Sequence, residues 1–211
     1  MRRVVPAILA NDESSLTALV DSATATGAAW VQVDIMDGVF VTSQSVGPLA
    51  FLGKRLPFHW EVHLMVKEPL GYIDCFLTAG AERIVFHYEA VRSHLNVIRA
   101  IKERALGVGL ALNPGTPVSA IIPFVTELDS VLFLSVQPGY YGAKFIPETL
   151  DKIRELSTRY PKLEIGIDGG IKESNICEAA GAGANDLCVG SAIFMASNPT
   201  EAYQKLSSLI A

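Results

Sequence analysis

The stretch Trp30–Gly38, WVQVDIMDG, closes an apolar run with two carboxylates, Asp34 and Asp37, and carries an amide, Gln32, two residues ahead of the first. Alternation along a strand puts Gln32 and Asp34 on one face and leaves Asp37 to the opposite face or the following turn. An ionised aspartate in an apolar strand is costly unless it is paired. Neither this run nor LEIGID, which ends in Asp168, contains a lysine or arginine. Asp34 and Asp168 are therefore candidates for acid–base or metal-binding chemistry, whereas Asp37, followed by Gly38, equally suits a turn. His63, in EVHLMV, adds an imidazole. Imidazole with carboxylates is a common donor set for a divalent cation, although a strand histidine is also a frequent hydrogen-bonded core residue. His87 is read as structural support from a later run, and His59 and His94 as surface or helix-start positions.

Groups of this kind need rigid elements to hold them. Eight short runs rich in β-branched and aromatic residues succeed one another: VVPAIL, WVQVDIM, HWEVHLMV, RIVFHY, GVGLALN, SVLFLSV, LEIGID and DLCVGSAI. Each is nearly continuous in apolar residues, as strands buried on both faces are. The first intervening helix is expected from Ser14 to Gly27, with Leu16, Leu19, Val20 and Ala23 on one face and Asn11 or Asp12 near its start. Later helices are expected after Pro48, Pro69, His94, Pro117, Pro147, Ser174 and Pro199. Eight βα units of about 25 residues, with no linker, predict an α/β chain folded as one (β/α)8 TIM barrel over residues 1–211. The competing open doubly wound sheet usually has a glycine-rich first turn, and LANDES has no glycine.

In such a barrel chemistry is built at the C-terminal strand ends. The polar residues there are Gln32, Asp34 and Asp37, then His63, His87, Glu89, Asn113, Ser135, Gln137 and Asp168. IDGGIKESN and VGSAIF place Gly169, Gly170, Gly190 and Ser191 where backbone N–H groups can cradle a phosphate. SVQPGYYGAKF adds Gly139 and Gly142 in a segment long enough to fold over a ligand.

Composition narrows the function classes. A net charge of −5, with 17 basic residues spread along the chain, gives no footprint for nucleic acid or an anionic membrane. No run approaches the roughly 18 apolar residues of a membrane span, and the N-terminus does not read as a signal peptide, so a cytoplasmic protein is expected. Cys75, Cys177 and Cys188 are widely spaced and suit packed thiols rather than disulfides or a metal site.

Taken together, the chain resembles the ribulose-phosphate 3-epimerase family along essentially its whole length. VDIMDGVFV followed by GP, VHLMV, GLALNPGTP, SVQPGYYGAKFI, IDGGI and VGSAIF occur in the family's order and at its spacing. The resemblance implies an isomerase of the pentose phosphate pathway that interconverts D-ribulose 5-phosphate and D-xylulose 5-phosphate by inverting C3. It implies a divalent metal (zinc, iron or manganese) that polarises the C2 carbonyl, and two aspartates working from opposite faces of an enediolate. By motif those aspartates are Asp34 and Asp168, and three of the family's four metal ligands fall on Asp34, His63 and Asp168. Met36 and Met65 fall where the family lines its site with apolar side chains. Family members commonly form dimers or hexamers, so a homo-oligomer is expected.

The departures gather at the site. The fourth ligand position is Gln32, and the serine expected in the first strand is Ala7. Val39 replaces a customary histidine, Thr42-Ser43 a customary Pro-Asn, and Tyr140 to Ala143 the usual FGGQ. Glutamine is a weaker ligand for zinc than imidazole. Two readings follow: an epimerase of pentulose phosphates or a related ketose phosphate, or a sugar-phosphate-binding relative with weak or no catalysis. A lyase of the same fold would carry D-x-K-x-x-D, and the sequence Asp34-Ile35-Met36-Asp37 lacks that lysine.

Overall fold

The computed structural model describes residues 2–138 and 144–211. Eight parallel strands close on themselves in sequence order: β1 (Arg3–Ile8), β2 (Trp30–Met36), β3 (His59–Met65), β4 (Arg83–His87), β5 (Gly107–Leu112), β6 (Ser130–Leu134), β7 (Glu164–Asp168) and β8 (Asp186–Val189), with β8 pairing back onto β1. Around them lie α1 (Glu13–Thr26), α2 (Ile73–Ala79), α3 (His94–Lys102), α4 (Thr149–Arg159), α5 (Ile176–Ala182), α6 (Ser191–Phe194) and α7 (Pro199–Ile210). The predicted (β/α)8 barrel is the fold observed. No helix among the described residues is long and apolar enough to cross a membrane.

Strand alternation divides each strand between two layers. On β4, Ile84 and Phe86 join the core between barrel and helices, while Val85 joins a small inner cluster with Val5, Ala7, Ala111, Leu132, Leu134 and Cys188. Arg83 and His87 are two residues either side of Val85, so they enter the barrel interior at its opposite ends. The same period places Gln32 and Asp34 inside on β2, Glu61 and His63 on β3, and Glu164 and Asp168 on β7. The register β2–β3 pairs Gln32 with Glu61 and Asp34 with His63. Room inside is tight: a Cβ on Gly166 would sit 2.7 Å from Leu132 Cδ1.

α1 is the first helix the apolar spacing predicts. Asp12 caps it, accepting from Ser15 N–H at 2.7 Å, and Gly27 ends it at φ 74°. Leu16 and Ala23 are buried. Three expectations change. The segments after Pro48 and Pro117 form only 3₁₀ turns, Pro48–Phe51, Val118–Ala120 and Ile122–Glu127. Gly53, at φ 72°, stops the first of these. The run DLCVGSAI is not one strand: β8 stops at Val189, and Ile193 and Phe194 N–H bond back to Gly190 O to open α6. Ile193 is fully buried, which keeps the run apolar across the change of element. Cys177 is exposed rather than packed.

Candidate active site

Asp34, His63 and Asp168 converge at the C-terminal mouth of the barrel. His63 Nδ1 lies 3.0 Å from Asp34 Oδ1 and 3.5 Å from Asp168 Oδ2. Beside them is a cavity of about 490 Å³, lined by Asp34, Met36, Met65, Asp168 and Gly169 together with Leu9, Asn11, Ser43 and Gln44. Met36 and Met65 pack with Val41 on one side of that cavity. Asp37 takes the turn role instead: its Oδ1 accepts from Val39 and Phe40 N–H, and its Oδ2 from Lys67 N–H, each at 2.8 Å. That holds the β2 loop as it returns through an antiparallel bridge between Asp37 and Gln44.

Among the described residues, His63 is the only ion-pair partner within 4 Å of Asp34 or Asp168. Two carboxylates therefore face each other without a lysine or arginine. Burial, and then the charge of Asp168, lift Asp34 to about 6 against its bonds to His63 and Gln32. Burial would lower His63, but its bonds to Asp168 and Asp34 raise it to about 9. His87, fully buried on β4, is pushed down to about 4, mainly by burial.

Gln32 is buried between the acids. Its Nε2 donates to Asp34 Oδ1 at 2.8 Å and to Asp168 Oδ2 at 2.9 Å, and its Oε1 accepts from the Cys188 thiol at 3.1 Å. As arranged, the amide turns donors toward the carboxylates and its oxygen away from them. The three remaining ligand atoms, from Asp34, His63 and Asp168, lie within 4.8 Å of one another. Two carboxylate oxygens and an imidazole nitrogen with this excess of negative charge fit a divalent cation.

The phosphate candidates are placed less uniformly. Gly169, at φ 107°, lines the cavity, and a Cβ there would fall 2.5 Å from Val136 Cγ2. Gly170 follows at φ 67°, and Gly190 with Ser191 opens α6. Gly139 and Gly142 lie outside the described residues. Ala7 is buried in the inner cluster, pairs in register with Gln32 and is not among the residues lining the cavity. Sequence reasoning passed over Leu9 and Gln44 as site residues. The antiparallel return of the β2 loop brings in Gln44, and no local motif announces it.

The chain is 38% identical over 213 residues to a ribulose-phosphate 3-epimerase of Schizosaccharomyces pombe, covering 99% of this chain and 93% of that one. It is 38% identical to the cytoplasmic isoform from Oryza sativa subsp. japonica, with 97% and 92% covered, and 38% identical to the enzyme of Escherichia coli K12, with 90% and 88% covered. Among solved structures, 3-hexulose-6-phosphate synthase from Salmonella typhimurium matches with a TM-score of 0.71 at 18% identity, covering 99% of this chain and 98% of that one. Orotidine 5'-monophosphate decarboxylase from Sulfolobus solfataricus matches at 0.67 and 16%, with 100% and 98% covered. These structural likenesses show the barrel alone. The family model for the Ribulose-phosphate 3 epimerase family spans residues 3–194, and with these relatives it shows that the chain belongs to that family of carbohydrate epimerases.

Proposed function

We propose that this protein interconverts D-ribulose 5-phosphate and D-xylulose 5-phosphate, or a closely related ketose phosphate pair, by moving a proton at C3 with Asp34 and Asp168. The observation that carries the reading is the pair of strand-end carboxyls meeting at the cavity, bridged by His63 and Gln32 and unpaired with any lysine or arginine among the described residues. Inversion next to a ketone needs one carboxyl to remove a proton and another to return one to the opposite face. A carboxyl lifted to about 6 is accessible in both protonation states near neutral pH, which suits Asp34 to that exchange. Gln32 holds both carboxylates through hydrogen bonds and fixes their orientation. Met36 and Met65 exclude water from one wall, which limits loss of the abstracted proton to solvent.

Asp34, His63 and Asp168 would hold a divalent metal, with zinc, iron and manganese the candidates. Bound there, it would supply Lewis-acid polarisation of the substrate carbonyl. Gly169, Gly170, Gly190 and Ser191, together with Gly139 and Gly142, are proposed to bind the sugar phosphate. Of these, Gly190 offers the cleaner test, because a side chain at Gly169 is strained whether or not phosphate binds. A cytoplasmic location and a homo-oligomeric state complete the reading.

A second reading, a sugar-phosphate binder with little catalysis, is favoured by Gln32 at the fourth ligand position and by Ala7. Following D-ribulose 5-phosphate by NMR separates the two. The first reading expects conversion to the C3 epimer by the wild type and none by Asp168→Asn. Binding of the sugar phosphate without conversion, with zinc, iron and manganese each supplied, would support the second.

A further inference from the structure

His63 and His87 meet through their Nε2 atoms at 2.9 Å, and both side chains are fully buried. One nitrogen has to donate and the other accept. The second nitrogen of His87, Nδ1, lies 3.3 Å from Glu89 Oε2. A carboxylate only accepts, so His87 carries its proton on Nδ1 and offers a bare Nε2. The proton between the two rings then belongs to His63 Nε2. His63 Nδ1 faces Asp34 Oδ1 at 3.0 Å, so by the same rule it too carries a proton in the absence of a cation; with the Nε2 proton held by His87, Nδ1 is the nitrogen that gives up its proton and supplies the lone pair when a cation binds.

Glu89 is itself fixed from the far side. It accepts from Asn113 N–H at 2.9 Å and from the Thr116 hydroxyl, both in the loop after β5. Phe40, from the loop after β2, packs its ring 4.8 Å from that of His87. The chain of contacts therefore runs from the β5 loop through Glu89 and His87 to His63, and every proton in it has one consistent place. A hydrogen bond to the far nitrogen is what sets which nitrogen of a histidine is free to bind a metal.

We propose that Glu89 is a positioning residue which, through His87, selects the Nε2-protonated tautomer of His63 and aims its Nδ1 lone pair at a divalent cation beside Asp34 and Asp168. The proposal rests on the metal reading above.

Two measurements test it on the intact protein: long-range ¹H–¹⁵N spectra of the histidine side chains, with and without zinc, and zinc affinity by competition with a chromophoric chelator. In the wild type His87 is protonated at Nδ1 in both states, and His63 at Nε2 once zinc is bound. Glu89→Leu removes the acceptor, scrambles the His87 tautomer and weakens zinc by about 10–100-fold. Glu89→Gln, whose amide oxygen still accepts, stays close to wild type. Thr116→Val removes a different partner of Glu89 and leaves the His87 signals unchanged, which separates tautomer selection from general loosening. Wild-type His87 protonated at Nε2, or unweakened zinc binding by folded Glu89→Leu, overturns the proposal. A wild type that binds no zinc overturns the metal reading instead, and the metal-free spectrum still decides where the His87 proton sits.

Discussion

The barrel interior holds buried polar groups at both ends, and the two ends solve the problem of buried charge in opposite ways. At the N-terminal end Arg3 and Arg83 meet Glu61, Glu164 and Asp186. Arg83 bonds to all three carboxylates, at 2.6 Å to Glu164 and 3.1 Å to Asp186, and Arg3 reaches Asp186 at 2.7 Å and Glu164 at 2.8 Å. Trp30 lies against both guanidinium groups, at 4.7 and 5.1 Å from its ring centroid. At the C-terminal end two carboxylates meet an imidazole and an amide, and no guanidinium or ammonium answers them among the described residues. The first cluster sets two guanidinium groups against three carboxyls, of which the Glu164–Asp186 pair keeps one proton, so its own counter-charges close it. The second leaves a deficit of positive charge next to a cavity, the condition under which a cation or a reacting proton has work to do. Buried charge alone does not mark a site; buried charge left uncompensated beside space does.

The strongest way to break the comparison is to remove one charge at each end. Asp168→Asn is expected to lower kcat by on the order of 10²–10⁴-fold in an epimerisation assay, with little loss of stability, because it relieves like-charge repulsion. Next in size, Arg83→Leu is expected to cost about 3–5 kcal/mol in chemical denaturation, since it strands Glu61 and leaves Arg3 alone to answer Glu164 and Asp186, while kcat of the remaining folded enzyme stays near wild type. If Arg83→Leu instead abolished turnover in folded protein, the division of labour between the ends would be wrong. Gln32→His, which restores an imidazole among the top carboxylates, is expected to tighten zinc by about 10-fold or more in chelator competition. Unchanged affinity would mean the amide belongs to a different design.

The smallest effect is a pH dependence from the closed end. Burial, then the hydrogen bond with Glu164, lift Asp186 to about 7; against burial, its bond to Asp186 and the nearby Arg83 hold Glu164 down to about 2. The folded pair thus keeps one proton up to about pH 7 that the unfolded chain releases near its ordinary carboxylate values. Between about pH 5 and 7 the folded state binds up to one more proton, so stability falls as pH rises, by at most about 1.4 kcal/mol per pH unit. Asp186→Asn, which mimics the protonated form, should flatten that slope in thermal melts, and an unaltered slope would contradict the assignment.

Much of this was legible in the sequence, and the limits have physical causes. Nearly continuous apolar runs matched seven of the eight strands within a residue or two, because strands buried on both faces leave little room for polar interruption; the eighth overran into α6. Asp34, Asp168 and His63 stood out for a related reason: their strands offered no partner charge. The N-terminal cluster did not stand out, since Arg3 begins β1, Arg83 begins β4, and their acids come from β3, β7 and β8, so the pairing exists only once the barrel closes. Gln32 was recognised as the departure, but its orientation depends on Cys188, 156 positions away. Gln44 entered the cavity lining through the return of a loop, which no local periodicity encodes.

The central claim is that the uncompensated pair, Asp34 and Asp168, moves the C3 proton. Solvent deuterium incorporation at C3 of D-ribulose 5-phosphate tests it most directly, with zinc, iron or manganese supplied in turn. The account predicts one deuterium at C3 of the epimerised product in wild type and no epimerised product from Asp34→Asn or Asp168→Asn, with exchange into the starting epimer surviving in at most the one variant that keeps the carboxyl facing its C3 proton. Absence of exchange in wild-type protein that demonstrably binds the sugar phosphate would contradict it.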